Sequence, residues 1–212
     1  MLKIWGRKTS SNVQALMWCI GELGLEYQRI DIGHIYGGTD TSTFLEMNPN
    51  GTIPVLQDGD DAPVWETGAI LRYLCNRYGS DPFWPSGLNE RTKVDMWAEW
   101  GKINIALNFG SIFWQIVRTP RELQDESALQ IATARFLDKL LIAEKNLQYQ
   151  QFLAGNDLTL ADIQFGHILY RYFNISIERP NLPALQEYYI RLAKRTTFQE
   201  HVMVSYDELR AE

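Results

Sequence analysis

Apolar residues follow two different spacings along the chain, and the pattern changes near residue 80. Before this point, short apolar runs typical of strands alternate with helical patterns. From Val13 onward, apolar residues recur at i, i+3, i+4 and i+7, which predicts one face of a helix that ends at Gly24. The first part of the chain is therefore predicted to contain both strands and helices.

The order of these elements predicts a small mixed sheet. The turn signal Asp58-Gly59-Asp60-Asp61 favours a hairpin between the last two strands. The strands are expected at residues 2–5, 27–32, in a run ending near Gln57, and at Val64 and Trp65. Besides the first helix, one or two helical turns are expected at 43–47, and a further helix after Glu66-Thr67-Gly68. This order resembles a thioredoxin-like α/β domain with a four-stranded mixed sheet, spanning residues 1–78.

Residues 79–89 are the best candidate for a linker, because they combine two prolines and two glycines with no periodicity. Phe83 and Trp84 are expected to fix this linker to the fold. Beyond it, residues 90–212 are predicted to form an all-α helical bundle. Its helices are expected from about residue 90 through Trp97 to Val117, at 127–147, from Thr159, after Asn181-Leu182-Pro183, and near 198–202.

Composition excludes several classes of partner. The net charge is −6 and no run of Lys and Arg is present, which argues against nucleic acid. No apolar stretch approaches the roughly 20 residues that a membrane helix needs, and the N-terminus lacks a signal-peptide core. The two cysteines, Cys19 and Cys75, match no metal spacing and lie within apolar helical patterns. We therefore expect buried free thiols, a cytoplasmic location, and no metal.

The stretch Asn48-Pro-Asn-Gly-Thr-Ile-Pro-Val-Leu56 contains the strongest local signal in the chain. Pro54 lies where a strand should begin, and proline cannot donate to a sheet ladder. A cis bond between Ile53 and Pro54 would turn the backbone of Ile53 away from the sheet, where it could pair with a bound peptide. The alternative is a turn followed by an ordinary strand.

Ser10, Ser11 and Asn12 lie at the predicted start of the first helix, where free N–H groups and the helix dipole favour an anion. Ser11 and Gln14 match a capping box, which predicts that Ser11 caps the helix and leaves the hydroxyl of Ser10 free. A free hydroxyl can donate to a thiolate and lower its pKa. The alternative is that both serines act only as caps.

Glu66 and Thr67 form a second polar pair, at the start of a helix that follows a strand. In one interpretation Thr67 caps this helix and Glu66 is a solvated charge. In the other, the carboxylate, the hydroxyl and the free helix N–H groups hold the amino and carboxylate ends of an amino acid.

Taken together, these motifs resemble the cytosolic glutathione transferase superfamily, and in particular its bacterial serine-type members of the theta, delta and zeta kind. The resemblance rests on the Ser/Asn-rich loop at 9–12, the cis-proline stretch at 48–56, Trp65-Glu66-Thr67-Gly68-Ala69-Ile70-Leu71, and Leu158-Thr159-Leu160-Ala161-Asp162. It covers nearly the whole chain and keeps the motif order.

The resemblance implies a role for individual residues. Ser10 falls at the catalytic serine position, with Ser11 beside it, and Asn12 lies where some bacterial classes have a catalytic Asn. Ile53, before Pro54, would pair with the cysteinyl backbone of glutathione, and Glu66 and Thr67 would hold its γ-glutamyl end. The site for the glycyl carboxylate is open, with His34 as a candidate. The electrophile pocket is expected at Trp100, Phe109, Phe113 and Arg118, although aromatic residues at helical spacing are more often core.

The predicted function is conjugation of the thiolate of reduced glutathione to a small hydrophobic electrophile, in detoxification. The resemblance also implies a homodimer. One alternative is a glutathione-dependent disulfide reductase, although such enzymes often carry cysteine at the catalytic position. The other is a non-catalytic interaction protein that has kept the fold.

Overall fold

A computed structural model describes residues 1–211 of the chain. The fold begins with a four-stranded sheet. The strands are β1 (Leu2–Trp5), β2 (Tyr27–Ile30), β3 (Val55–Asp58) and β4 (Val64–Trp65). They lie in the order β2-β1-β3-β4, with β1 parallel to β2 and antiparallel to β3. β3 and β4 form the predicted hairpin. The mixed sheet of the α/β prediction is confirmed.

Strand β2 is two residues shorter than the sequence pattern predicts. Its last ladder pair is Trp5 with Ile30. The chain turns at Gly6, whose N–H donates to the carbonyl oxygen of Ile30 at 2.9 Å. β1 therefore offers no backbone partner beyond Ile30, and residues 31–32 continue as loop.

Three helices accompany the sheet: α1 (Ser11–Glu22), α2 (Ser42–Met47) and α3 (Thr67–Tyr78). α1 is the crossover between the parallel strands β1 and β2, as expected for a parallel pair. Both cysteines, Cys19 on α1 and Cys75 on α3, are free and fully buried, as predicted. After α3, Trp84 is buried and its indole N–H donates to Asn76 at 2.9 Å, which fixes the 79–89 segment to the fold.

The described residues beyond the 79–89 segment form no strands, which confirms the all-α prediction. The long helix expected through Val117 is one continuous rod, in which α4 (Leu88–Trp100) and α5 (Leu107–Phe113) alternate with π-helical turns at Gly101–Ala106 and Trp114–Arg118. The other helices are α6 (Glu126–Leu147), α7 (Leu160–Gly166), α8 (Leu169–Asn174), α9 (Pro183–Ala193) and α10 (Thr196–His201). The break between α7 and α8 was not predicted, because apolar residues run through it without a proline. The division of the chain into two domains, joined by a linker at 79–89, stays a prediction. The second predicted domain, 90–212, ends at a residue that lies outside the described range.

One core joins the sheet-containing part to the helical part. Trp18 of α1 is fully buried and contacts Phe198 of α10 edge-to-face, with ring centroids 4.8 Å apart. At the end of α1, the carboxylate of Glu22 accepts from the indole of Trp18 at 2.9 Å and from Arg195 at 2.8 Å. The two parts therefore share both apolar and ionic contacts, and these contacts hold α1 at a fixed position against the bundle.

The fully buried carboxylate of Asp162 organises the start of α7. One of its oxygens accepts from the N–H of Leu153 at 3.0 Å and from the hydroxyl of Tyr188 at 2.9 Å. The other accepts from the N–H of Thr159 at 2.8 Å and from its hydroxyl at 3.2 Å. This is the capping box that the sequence predicts, with two additional donors from Leu153 and Tyr188.

Replacing Asp162 with Ala should strongly destabilise the fold. The variant leaves four buried donors without an acceptor and removes a helix cap, so we expect the free energy of unfolding to fall by about 3 kcal/mol or more. Urea denaturation followed by circular dichroism measures this loss. Asp157→Ala, at an exposed position nearby, is the matched control and should change stability by less than about 0.5 kcal/mol. Equal effects of the two substitutions would contradict the assignment.

Candidate active site

The turn between β1 and α1 leaves a serine hydroxyl free at the start of a helix. Ser10 occupies the N-cap position with extended dihedral angles (φ −81°, ψ 125°), and its side chain makes no capping hydrogen bond. Its carbonyl oxygen accepts from the N–H of Gln14 at 2.8 Å. Within residues 1–211, the first N–H groups of α1, at Ser11 and Asn12, have no acceptor. A negatively charged group would be stabilised here by the hydroxyl, the N–H groups and the helix dipole.

The expected capping box between Ser11 and Gln14 is wrong. Ser11 is the first helical residue, so Ser10 takes the cap position. The side chain of Gln14 donates to the carbonyl of Lys8 at 3.2 Å and accepts from Arg171 at 3.2 Å. Because these contacts hold the amide away from the helix terminus, it cannot close a box. The consequence drawn from the box, a Ser10 hydroxyl that is not used as a cap, still applies.

Asn12 connects the start of α1 to the helical rod. Its side-chain oxygen accepts from Nζ of Lys102 at 2.9 Å, and Lys102 lies in the first π-helical turn. Burial lowers the pKa of Lys102, whereas the charges of Glu66 and Glu99 act to raise it. Lys102 therefore contacts Asn12, at the first predicted polar site, and is also affected by the charge of Glu66, at the second.

The Ile53–Pro54 peptide bond is cis, as the sequence analysis proposed. Neither the N–H nor the carbonyl of Ile53 is hydrogen-bonded to any of the residues 1–211. The turn before it is held by Asn48, whose side-chain amide donates to the carbonyl of Thr52 at 2.7 Å. Gly6 allows this stretch to approach the first turn, since a Cβ there would lie 2.5 Å from Val13 and 3.5 Å from Ile53. The unpaired backbone of Ile53 therefore lies beside the β1–α1 turn.

Glu66 adopts a backbone conformation that is rare for a residue with a side chain. Its φ is 69° and its ψ is 118°, at the junction of β4 and α3. Glu66 is the N-cap residue and Thr67 the first helical residue, so the alternative in which Thr67 caps α3 is wrong. Thr67 is buried and the Glu66 side chain is exposed. Strained backbone of this kind is typical of ligand-binding sites.

The other predicted site residues lie in different environments. His34 is exposed in a short 3₁₀ turn, and no hydrogen bond to its side chain is found within residues 1–211. Trp100 packs against Trp97 and Phe165. Phe109 is only 2% exposed and contacts Phe136 and Tyr172, which places it in the core rather than on a pocket wall.

The two remaining pocket candidates lie together at the end of the rod. Phe113 is buried beneath the guanidinium of Arg171, which lies 4.7 Å from its ring centroid. Arg118 is half-buried and lies 5.0 Å from the ring centroid of Trp114.

Two arginines near Ser10 were missed by the sequence analysis. Arg171, on α8, is 4% exposed and donates to the carbonyl of Thr9 at 2.6 Å. Arg7 is half-buried in the β1–α1 turn, and its Nη1 would lie 3.6 Å from a Cβ atom placed on Gly33. A lone arginine within the apolar pattern of α8 was a usable signal for Arg171. No such signal exists in the sequence for Arg7, because an arginine in a polar loop is common.

Within residues 1–211, no group of three or more His, Cys, Asp or Glu side chains could hold a metal ion. In the same range, every helix is either too short or too polar to cross a bilayer.

Family models and curated relatives match most of the chain. The model described as glutathione S-transferase, N-terminal domain, matches residues 1–76, and the C-terminal domain model of the same family matches residues 107–196. Glutathione S-transferase GstB of Escherichia coli (strain K12) is 31% identical over 206 residues, which are 96% of this chain and 99% of that protein.

Solved structures of glutathione S-transferases are also similar to this chain. The theta class glutathione S-transferase from Xanthomonas axonopodis pv. citri, with glutathione bound, is 38% identical and superposes with a TM-score of 0.91 over 96% of this chain and 98% of that one. The apo form of that protein gives 35% identity and a TM-score of 0.83 over 96% of this chain and 97% of that one. Bombyx mori BmGSTD1, at 23% identity, shows the shared fold, with a TM-score of 0.87 over 98% of this chain and 95% of that one.

The strain at Glu66 predicts an unusual ranking of stabilities. Glu66→Gly should be more stable than Glu66→Ala by about 1 kcal/mol, because glycine adopts a positive φ freely whereas alanine keeps the strain. Both variants remove the carboxylate, so their difference isolates the backbone. Urea denaturation of the pair measures it, and an alanine variant at least as stable as the glycine variant would show that the backbone is not strained.

Proposed function

We propose residue roles for this chain, which belongs to the glutathione S-transferase family, on the basis of the groups that its fold leaves without partners. The chain is a glutathione transferase with glutathione as its co-substrate. The observation that carries the residue roles is the free Ser10 hydroxyl at the positive end of α1, next to the unpaired backbone of Ile53.

Three features of the structure fit a bound γ-glutamyl tripeptide. The N–H and carbonyl of Ile53 can pair with a peptide backbone as a neighbouring strand would. The exposed carboxylate of Glu66 suits an ammonium group, and the N-terminus of α3 at Thr67 suits a carboxylate. We assign Ile53, beside Pro54, to the cysteinyl unit, and Glu66 and Thr67 to the γ-glutamyl end. His34 remains our candidate for the glycyl carboxylate.

Bound glutathione supplies a thiolate sulfur that forms a bond to the electrophile as the leaving group departs with its electron pair. Ser10 lowers the pKa of that thiol by donating a hydrogen bond to the ionised form. The free N–H groups at Ser11 and Asn12 and the dipole of α1 act in the same direction. Because the core contacts of α1 fix these donors, they need no reorganisation when the thiol ionises. Phe113, Arg118 and Trp100 remain our candidates for the electrophile pocket.

The two rival functions lose support. A disulfide reductase that used its own thiol would need an accessible cysteine, and both Cys19 and Cys75 are fully buried. A non-catalytic interaction protein would not need an unused hydroxyl or a strained Glu66 at the same site.

Four further properties belong to the proposal. A small hydrophobic electrophile and a role in detoxification follow from the family. A homodimer is supported by large exposed apolar side chains on α4, Leu88 and Met96. A cytoplasmic location is supported by the two unpaired cysteines, which a reducing compartment preserves.

The role of Ser10 can be tested through the ionisation of bound glutathione. Ser10→Ala should raise the pKa of the bound thiol by about 1 pH unit or more, because a hydrogen bond to a charged group contributes about 1.5–3 kcal/mol. The ultraviolet absorbance of the thiolate, followed across a pH titration of the complex, measures this change.

Ser11→Ala is the matched control, since Ser11 lies one residue along at the same helix terminus. It should leave the thiol pKa close to that of the unmodified protein. A silent Ser10→Ala together with a shifted Ser11→Ala would reverse the two roles.

A further inference from the structure

Two arginine side chains lie at the turn that carries Ser10, and a third acts on both of them through its charge. Arg7 belongs to the turn itself. Arg171 reaches it from α8 and donates to the carbonyl of Thr9 at 2.6 Å. Arg118 lies at the end of the helical rod, and its positive charge contributes to lowering the pKa values of both Arg7 and Arg171. We call these three residues the arginine cluster.

The fold gives the arginine cluster little negative charge. The guanidinium groups of Arg7 and Arg118 form no hydrogen bond and no salt bridge with any of the residues 1–211. The polar partners of Arg171 are uncharged: the carbonyl of Thr9 and, at 3.2 Å, the amide of Gln14. The Nε atoms of Arg7 and Arg171 are buried without an acceptor in the same range.

Among the residues that the structure describes, Glu208 is the carboxylate whose charge acts on Arg7, and it is already engaged. Glu208 accepts a hydrogen bond from the hydroxyl of Thr9, and its charge partly opposes the lowering of the Arg7 pKa that burial and Arg118 cause. The neighbouring Asp207 is paired with Arg210 at 3.0 Å. The net charge at the cluster is therefore positive, and burial lowers the pKa of Arg171 to about 9, with Arg118 and Arg7 adding to the effect.

Buried or half-buried guanidinium groups that repel one another are costly unless an anion joins them. Arginine is also the side chain best suited to bind a carboxylate, because its fork of donors can bind both oxygens. We propose that the arginine cluster binds an anionic group, a carboxylate, carried by the electrophile. This rests on the proposed function, and it narrows the substrate class from neutral to negatively charged electrophiles.

The same chemistry could come from the glycyl carboxylate of glutathione, but the position of Arg118 favours the electrophile. The residues assigned to glutathione, Ile53, Glu66 and Thr67, all belong to the sheet-containing part. Arg118 belongs to the helical part and contacts the face of Trp114, while Arg171 lies over Phe113. Arg118 and Arg171 therefore combine positive charge with aromatic surface in the helical part, whereas Arg7 lies beside Gly33 in the sheet-containing part.

The test compares two aryl halides that differ in charge: a chlorodinitrobenzoate, and the methyl ester of the same acid. In both, the chlorine stands between two nitro groups, so glutathione forms a carbon–sulfur bond and chloride leaves. We expect Arg7→Gln and Arg118→Gln to lower kcat/KM for the benzoate about tenfold more than for the ester, mainly through the KM of the benzoate. Arg118→Lys, which keeps the charge but not the fork, should recover part of this loss.

Arg121→Gln is the matched control. Arg121 is an exposed arginine three residues beyond Arg118, and no salt bridge to it is found within residues 1–211. It removes the same charge without touching the cluster, so the preference between the two substrates should not change.

A second readout does not depend on turnover. Calorimetry should show that the dinitrobenzoate without chlorine binds the unmodified protein, with glutathione present, about tenfold more tightly than it binds Arg118→Gln. Equal losses for benzoate and ester, or equal binding to both proteins, would overturn the inference. A rise in the KM for glutathione alone would assign the cluster to the glycyl carboxylate instead. If neither halide reacted with the unmodified protein, the proposed function itself would fail.

Discussion

The buried guanidinium of Arg171 holds the turn on which the rest of the site depends. It comes from α8, yet its hydrogen bonds end at the carbonyl of Thr9 and the amide of Gln14, on either side of Ser10. The first contact fixes the backbone immediately before Ser10. The second keeps the amide of Gln14 away from the helix terminus, where it could otherwise have accepted from the N–H of Ser11. A residue in the helical part therefore determines the conformation of a loop in the sheet-containing part.

Burying this charge is expensive, and the fold compensates for it without a carboxylate. The guanidinium stacks on Phe113 at 4.7 Å and on Tyr206 at 5.9 Å, and arginine above aromatic rings is stabilised even where water is excluded. A carboxylate partner would have neutralised the charge. Aromatic and carbonyl partners leave it positive, so its field extends to the groups around Ser10 and to any thiolate held there.

The sequence carried enough information for the elements and for some of the site. The strands, the long helical rod and the Asp162 capping box depend on local spacing, and they are predicted well because neighbours in sequence decide them. Pro54 is likewise a local signal. The capping box at Ser11 failed although its pattern is equally good, because Arg171 lies 157 residues away from Gln14 and competes for its side chain. The positive φ of Glu66 and the approach of Arg7 to Gly33 are also tertiary effects, with no periodic trace in the sequence.

The proposed site draws on both parts of the chain, and each part supplies a different kind of positive charge. The sheet-containing part supplies partial charges, from the dipole and free N–H groups of α1, which act over one turn of helix. The helical part supplies full charges on Lys102, Arg118 and Arg171, which act over longer distances inside a poorly screened boundary. A hydroxyl such as that of Ser10 is a weak donor on its own. In the role that we propose for Ser10, the surrounding positive field would add to the hydrogen bond that the hydroxyl donates to the ionised thiol.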